Sequence, residues 1–164
     1  MSLKIKILLS LLLFSTLQAE WGTISLKEHI NKSSLIVIAE FESEMERNTT
    51  DFGITQFVSF KPIENIKGDT NSSFVVKGQS LEVCMPQMLF SATTKGRYLL
   101  FLYQENNATK YYDLTHGESS GLLIKHDTID WIIDDSRIDF GEREKRLLDD
   151  VVKIIYTYSS NKLY

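Results

Sequence analysis

The chain has 164 residues, 43% hydrophobic and 24% charged, with one cysteine and a formal net charge of −4. That is length for one domain with a sizeable core and composition without an internal disulfide. The mildly acidic balance, with no basic stripe, argues against nucleic acid and against an anionic membrane as the main partner.

Lys4 and Lys6 precede an apolar stretch from Ile7 to Phe14, followed by Ser15-Thr16-Leu17-Gln18-Ala19. A basic start, a short apolar centre and a small exit residue form the pattern of a secretory signal peptide, expected to be cut after Ala19. The stretch is well short of the ~20 apolar residues that a spanning helix needs, although an uncleaved anchor is the alternative. No cysteine follows it, so a bacterial lipid anchor is not indicated. The expected organisation is residues 1–19 as signal peptide, 20–158 as one exported domain, periplasmic or extracellular, and 159–164 as a frayed tail. No stable membrane insertion is expected after cleavage.

Ser25-Leu26-Lys27-Glu28 is a capping box and predicts a short helix with Leu26 and Ile30 on one face. Leu35 to Ala39 begins a buried strand that becomes alternating through Glu44, and the polar run from Met45 to Gly53 predicts a loop. Strand character resumes from Ile54 to Ile66, where Pro62 cannot donate to a ladder and marks an edge, a bulge or a bend. Gly68-Asp69 turns the chain into Phe74-Val75-Val76, and Gly78-Gln79 is expected to turn it again into Leu81 to Met85. Pro86 to Lys95 is a longer connection. Gly96 then opens Arg97-Tyr98-Leu99-Leu100-Phe101-Leu102, a run too short for a typical helix and rich in strand formers, as in a central strand buried on both faces.

Shorter strands follow over Lys110 to Leu114, Leu122 to Lys125 and Thr128 to Ile133, the last two joined by a turn at His126-Asp127. From Gly141 the apolar period becomes helical through Leu147, Val151, Ile154, Ile155 and Tyr158, with Glu142 and Glu144 where negative charge suits the helix dipole. The pattern is mainly β: a small OB-like Greek-key β-barrel with a short N-terminal helix and a C-terminal amphipathic helix. Closing the sheet also removes the exposed edges that a disulfide-free exported sheet would otherwise carry.

Candidate chemistry is sparse. Gly117-Glu118-Ser119-Ser120-Gly121 matches the G-x-S-x-G pattern of hydrolase nucleophile elbows, but Leu122-Leu123-Ile124-Lys125 reads as strand where that turn requires helix. Asp113, His116 and Glu118, with His126 and Asp127 nearby, have the right atoms for a divalent ion, yet His29, His116 and His126 lack the paired spacing of zinc motifs. They read as solvated loop residues. Asp127, Asp130, Asp134, Asp135 and Asp139 are interrupted by Trp131-Ile132-Ile133, unlike a calcium loop; Trp131 reads as core or as a binding-face aromatic. Cys84 reads as a small buried residue, with an intermolecular disulfide or a reactive thiol as alternatives. Asn31, Asn48, Asn71 and Asn107 each head an Asn-x-Ser/Thr triplet, a glycan acceptor only in a eukaryotic secretory pathway.

The order of these features resembles a known family. The buried strand Leu35 to Phe41, the strand ending Ile66-Lys67-Gly68-Asp69, the single Cys84, and Gly96-Arg97-Tyr98-Leu99-Leu100-Phe101-Leu102 before a glycine-bearing hairpin look like bacterial exported proteins related to the tissue-inhibitor-of-metalloproteinases and netrin-module OB folds. The resemblance covers roughly Leu35 to Trp131 and implies a five-stranded barrel acting as a binding or inhibitory module. The animal inhibitors chelate the protease zinc with an N-terminal cysteine; here the expected mature start is Glu20-Trp21-Gly22, so that activity is not implied.

The expected function is a non-enzymatic binding module for a protein partner, without cofactor, metal or catalytic residues. Contacts are expected on the barrel face and the segments Met45 to Gly53 and Pro86 to Lys95. The alternatives are a small serine hydrolase using Ser119 or Ser120 with His116 or His126, and an envelope structural or assembly protein.

Overall fold

The computed structural model describes residues 25–81, 88–90, 95–105, 109–116, 120–131 and 144–160. The signal-peptide segment, Cys84, Asn107, Gly117 to Ser119 and Asp134 to Asp139 lie outside the described residues. Ser25 caps helix α1 (Leu26–Lys32), its Oγ accepting from the Glu28 N–H at 3.3 Å. The Glu28 carboxylate turns forward to Lys32, 3.3 Å away on the next turn. Eight strands follow: β1 (Leu35–Thr50), β2 (Gly53–Lys67), β3 (Phe74–Leu81), β4 (Arg97–Tyr103), β5 (Tyr112–Leu114), β6 (Gly121–Lys125), β7 (Thr128–Trp131) and β8 (Glu144–Leu147), with helix α2 (Leu148–Ser160) last.

The sheet order β1-β2-β3-β5-β4 closes on itself because β4 also pairs with β1, giving a five-stranded OB-like barrel in which β3 and β5 run parallel. One edge of β4 pairs with β1 from Leu35 to Glu40. Its other edge is divided, Leu102 and Tyr103 pairing with β5 and Arg97 to Leu100 with β6. Strands β6, β7 and β8 therefore leave the barrel as a flap of antiparallel sheet.

Strand alternation sorts the core into two layers. Leu35, Val37 and Ala39 of β1 and Tyr98, Leu100 and Leu102 of β4 point into the barrel, where they meet Val58, Phe60, Phe74, Val76 and Phe90. Phe60 is the hub, edge-on to Phe41, Phe90 and Tyr98 at 5.9, 5.1 and 5.7 Å. The intervening Ile36, Ile38, Leu99 and Phe101 face outward against Leu26 and Ile30 of α1 and Val151 and Ile155 of α2. Both faces of β1 and β4 are thus covered, which is why these two strands read as unbroken apolar runs.

Three expectations are corrected. Met45 to Gly53 is not a loop: β1 and β2 continue as a hairpin arm beyond the barrel, turning at Asp51-Phe52. Both faces of β1 meet water from Met45 to Thr50, so this stretch carries no apolar alternation to read. Gly78 does not turn the chain either; β3 runs through it to Leu81. A Cβ there would stand 2.8 Å from the Met88 carbonyl, so the bare glycine is what lets Met88 pair with Gln79 across two 2.9 Å hydrogen bonds. Finally, Glu144 to Leu147 is strand β8, paired with β7, and the helix begins only at Leu148. Asp149 and Asp150 therefore occupy the first turn, while Leu147 and Tyr158 are exposed and the helix includes Ser159. Pro62 behaves as expected, lying beside a one-residue register shift opposite Ile38 and Ala39.

Candidate functional site

The helices cover the β1/β4 side of the barrel and the Ile66 end of β2, and among the described residues the helix-side core includes nothing from β3, β5 or the Phe57 stretch of β2. Strand register builds one row across that wall. Glu46 pairs with Phe57, Phe57 with Lys77, Lys77 with Asp113 and Asp113 with Tyr103, so β1, β2, β3, β5 and β4 each contribute one side chain. All are out of phase with the interior residues Val58, Val76 and Leu102, which fixes them on the outside. Tyr111 lies over the row, its ring 5.3 Å from that of Phe57, with Lys77 Nζ 5.6 Å from its centroid.

Lys77 Nζ stands 3.8 Å from Asp113 Oδ1 on half-covered side chains. Burial pushes the Asp113 carboxyl above its ordinary range, against the pull of Lys77, and the Glu105 carboxylate adds to the push. The Tyr103 phenol is raised as well, by burial first and then by Asp113, Glu105 and Tyr111. The groups therefore act on one another within a single patch that offers aromatic rings, carboxylates and one ammonium.

A second polar cluster lies where β5 and β6 part from β4. Thr115 donates its backbone N–H and its hydroxyl to the Phe101 carbonyl, at 3.1 and 3.3 Å. Its Oγ1 is 3.0 Å from His29 Nδ1 and 2.9 Å from Ser120 Oγ, which also accepts the His116 N–H. The His29 and His116 rings meet edge to face at 6.1 Å. His29 and Ser120 have no solvent exposure, and burial, followed by His116 and Lys32, lowers His29 from 6.5 to about 3. His116 is also lowered, chiefly by burial.

This arrangement separates the residues proposed for chemistry. Ser120 does meet a histidine, but it is His29, 3.5 Å away through Nδ1, and an imidazole with so low a pKa is a poor base near neutrality. His126 sits on the β6–β7 turn, roughly 20 Å along an extended strand from Ser120. Gly121 opens strand β6, so the strand-to-helix turn of a nucleophile elbow is missing from this position. Asp113 is engaged by Lys77, whereas His116 packs on His29. Among the described residues, no group of three or more His, Cys, Asp or Glu is placed to hold a metal ion.

Of the expected contact segments, the hairpin arm exposes Met45 and Phe52 and carries Asn48, whose amide donates to Glu46 at 2.7 Å. The part of Pro86 to Lys95 that is described does something else: Phe90 plugs the barrel, held by a buried Gln56 that donates to the Phe90 carbonyl at 2.7 Å and accepts its N–H at 2.9 Å. Sequence reading missed Phe57, Lys77, Tyr103 and Tyr111. Their signal was an aromatic or charged residue out of phase with its strand's interior set, but only the pairing of β3 with β5 assembles them. No protein-family model, curated protein or solved structure matches the chain, and among the described residues no helix is long and apolar enough to cross a membrane.

Proposed function

We propose that the chain is an exported, non-enzymatic binding module that engages a protein partner through the open wall of its barrel. The observation that carries this reading is the row from Glu46 to Tyr103, in which five strands present aromatic and charged side chains in register on a face that, among the described residues, lies outside the helix layer. Tyrosine is among the side chains that dominate protein-binding energetics, and Tyr103 and Tyr111 both stand on this wall. The sealing of Ser120 and His29 counts against Ser120 as a nucleophile, since a nucleophile must reach its substrate.

The test is affinity capture with the tagged chain from its own envelope or extracellular fraction, read by mass spectrometry. A single reproducible partner should be captured by the parent and by a Phe52→Ser arm variant, and lost from the double variant Phe57→Ser, Tyr103→Ala. A partner retained by the double variant would remove the wall from consideration.

A further inference from the structure

Beside Tyr103 and Asp113 the wall carries more carboxylate than ammonium. Lys77 is the only cation in the row, yet it is shared between two acceptors. Its Nζ lies 5.6 Å from the Tyr111 centroid, within cation–π range, and 3.8 Å from Asp113, beyond hydrogen-bond length. Glu105 acts on both Asp113 and Tyr103, while Glu46 stands two strands away from Lys77, opposite Phe57 and bonded to Asn48. Around Asp113, two carboxylates thus act against one ammonium. Asp113 stays pushed toward its neutral form despite Lys77, so one ammonium at this distance does not offset the burial of the carboxylate. Tyr103 adjoins Asp113 in register and keeps 38% of its surface exposed, leaving a ring on which a planar cation can stack.

We infer that the partner places a basic side chain, an arginine by preference, on the open wall between Tyr103 and Asp113, where rings and carboxylates already surround a resident lysine. This rests on the proposal that the wall is the binding face. The guanidinium stacks on Tyr103 and hydrogen-bonds Asp113, and Lys77 is its internal competitor. The two substitutions therefore have opposite signs: removing the carboxylate weakens binding, and removing the resident cation strengthens it.

The probe is an end-blocked pentapeptide of alternating glycine and arginine, compared with its citrulline twin, titrated into the isotopically labelled chain and followed by amide chemical shifts. The arginine peptide should saturate shifts around Phe57, Lys77, Tyr103 and Asp113, and the citrulline peptide should not. Asp113→Asn should weaken the interaction about tenfold, the scale of one hydrogen bond to a charged group. Lys77→Gln should tighten it a few-fold. A dispersed spectrum establishes that each variant is folded, and if Asp113→Asn is not, Lys77→Gln decides alone. Equal shifts with both peptides on the wall would overturn the cation while leaving the wall as a binding face. Weaker binding by Lys77→Gln would mean that the partner supplies an anion. Shifts confined to the hairpin arm, or none on the wall, would also overturn the inference, and the capture experiment with Phe57→Ser, Tyr103→Ala then judges the wall independently of charge.

Discussion

The two walls of this barrel are built from the same alternating strands and end in opposite states. On the β1/β4 side both faces are buried, one in the barrel and one under the helices, and Phe101 is fully enclosed next to His29 at 5.2 Å. On the β2/β3/β5 side the inner face is buried and, among the described residues, the helix layer reaches only the Ile66 end of β2, so Phe57, Lys77 and Asp113 stay partly exposed while Val58 and Val76 hold the strands. A closed barrel needs only its interior to fold. A covered wall adds stability, and an uncovered one leaves side chains free for recognition.

The largest break in that contrast should come from Phe101→Ala. Truncating a fully buried phenylalanine costs about 3–5 kcal/mol, here opening the seam between α1 and the barrel; denaturant unfolding should show a large fall in midpoint, and a fall comparable to that of a surface variant would mean that the helix layer is loosely packed. The covered wall should also carry the pH dependence. His29 binds its proton far less readily folded than unfolded, so between pH 6.5 and about 3 the unfolded chain holds more protons and stability falls as pH falls. His116 shifts in the same direction. Unfolding free energies measured from pH 7 to pH 4 should therefore decline by an amount on the order of a few kcal/mol, with a shallower slope in His29→Gln.

Gln56→Leu tests the barrel's end. It leaves both backbone groups of Phe90 without their amide partner and should cost about 2 kcal/mol by the penalty for unpaired buried polar groups, visible in thermal unfolding; a neutral result would show that the 88–90 segment is anchored by Phe90 packing alone. The smallest stability effect belongs to the open wall. Tyr103→Ala should change unfolding free energy by no more than about 0.5 kcal/mol, as surface substitutions do, while weakening partner capture. A large destabilisation there would mean that the wall is structural.

The legible parts of the fold were those whose signal is local. Ser25 capping α1, the buried runs of β1 and β4, the turn at His126-Asp127, and the helical period through Val151 and Ile155 follow from neighbouring residues. Failures arose where the deciding partner is distant. Glu44 looked like a strand end because nothing nearby shows that Gln56, across the hairpin, donates to its carboxylate at 2.8 Å. Glu144 to Leu147 looked like the start of a helix because the competing claim, the free edge of β7, lies in another element.

By itself the sequence determined that this is a β-rich domain with an N-terminal and a C-terminal helix, and which residues its strands bury, because period and capping are properties of adjacent residues. Only the tertiary structure decided which wall the helices cover, that Ser120 meets His29 out of reach of solvent, and that Phe57, Lys77, Asp113 and Tyr103 form one row. Those outcomes depend on β5 inserting between β3 and β4. Such pairing is chosen by the closure of the whole barrel, which no window of sequence contains.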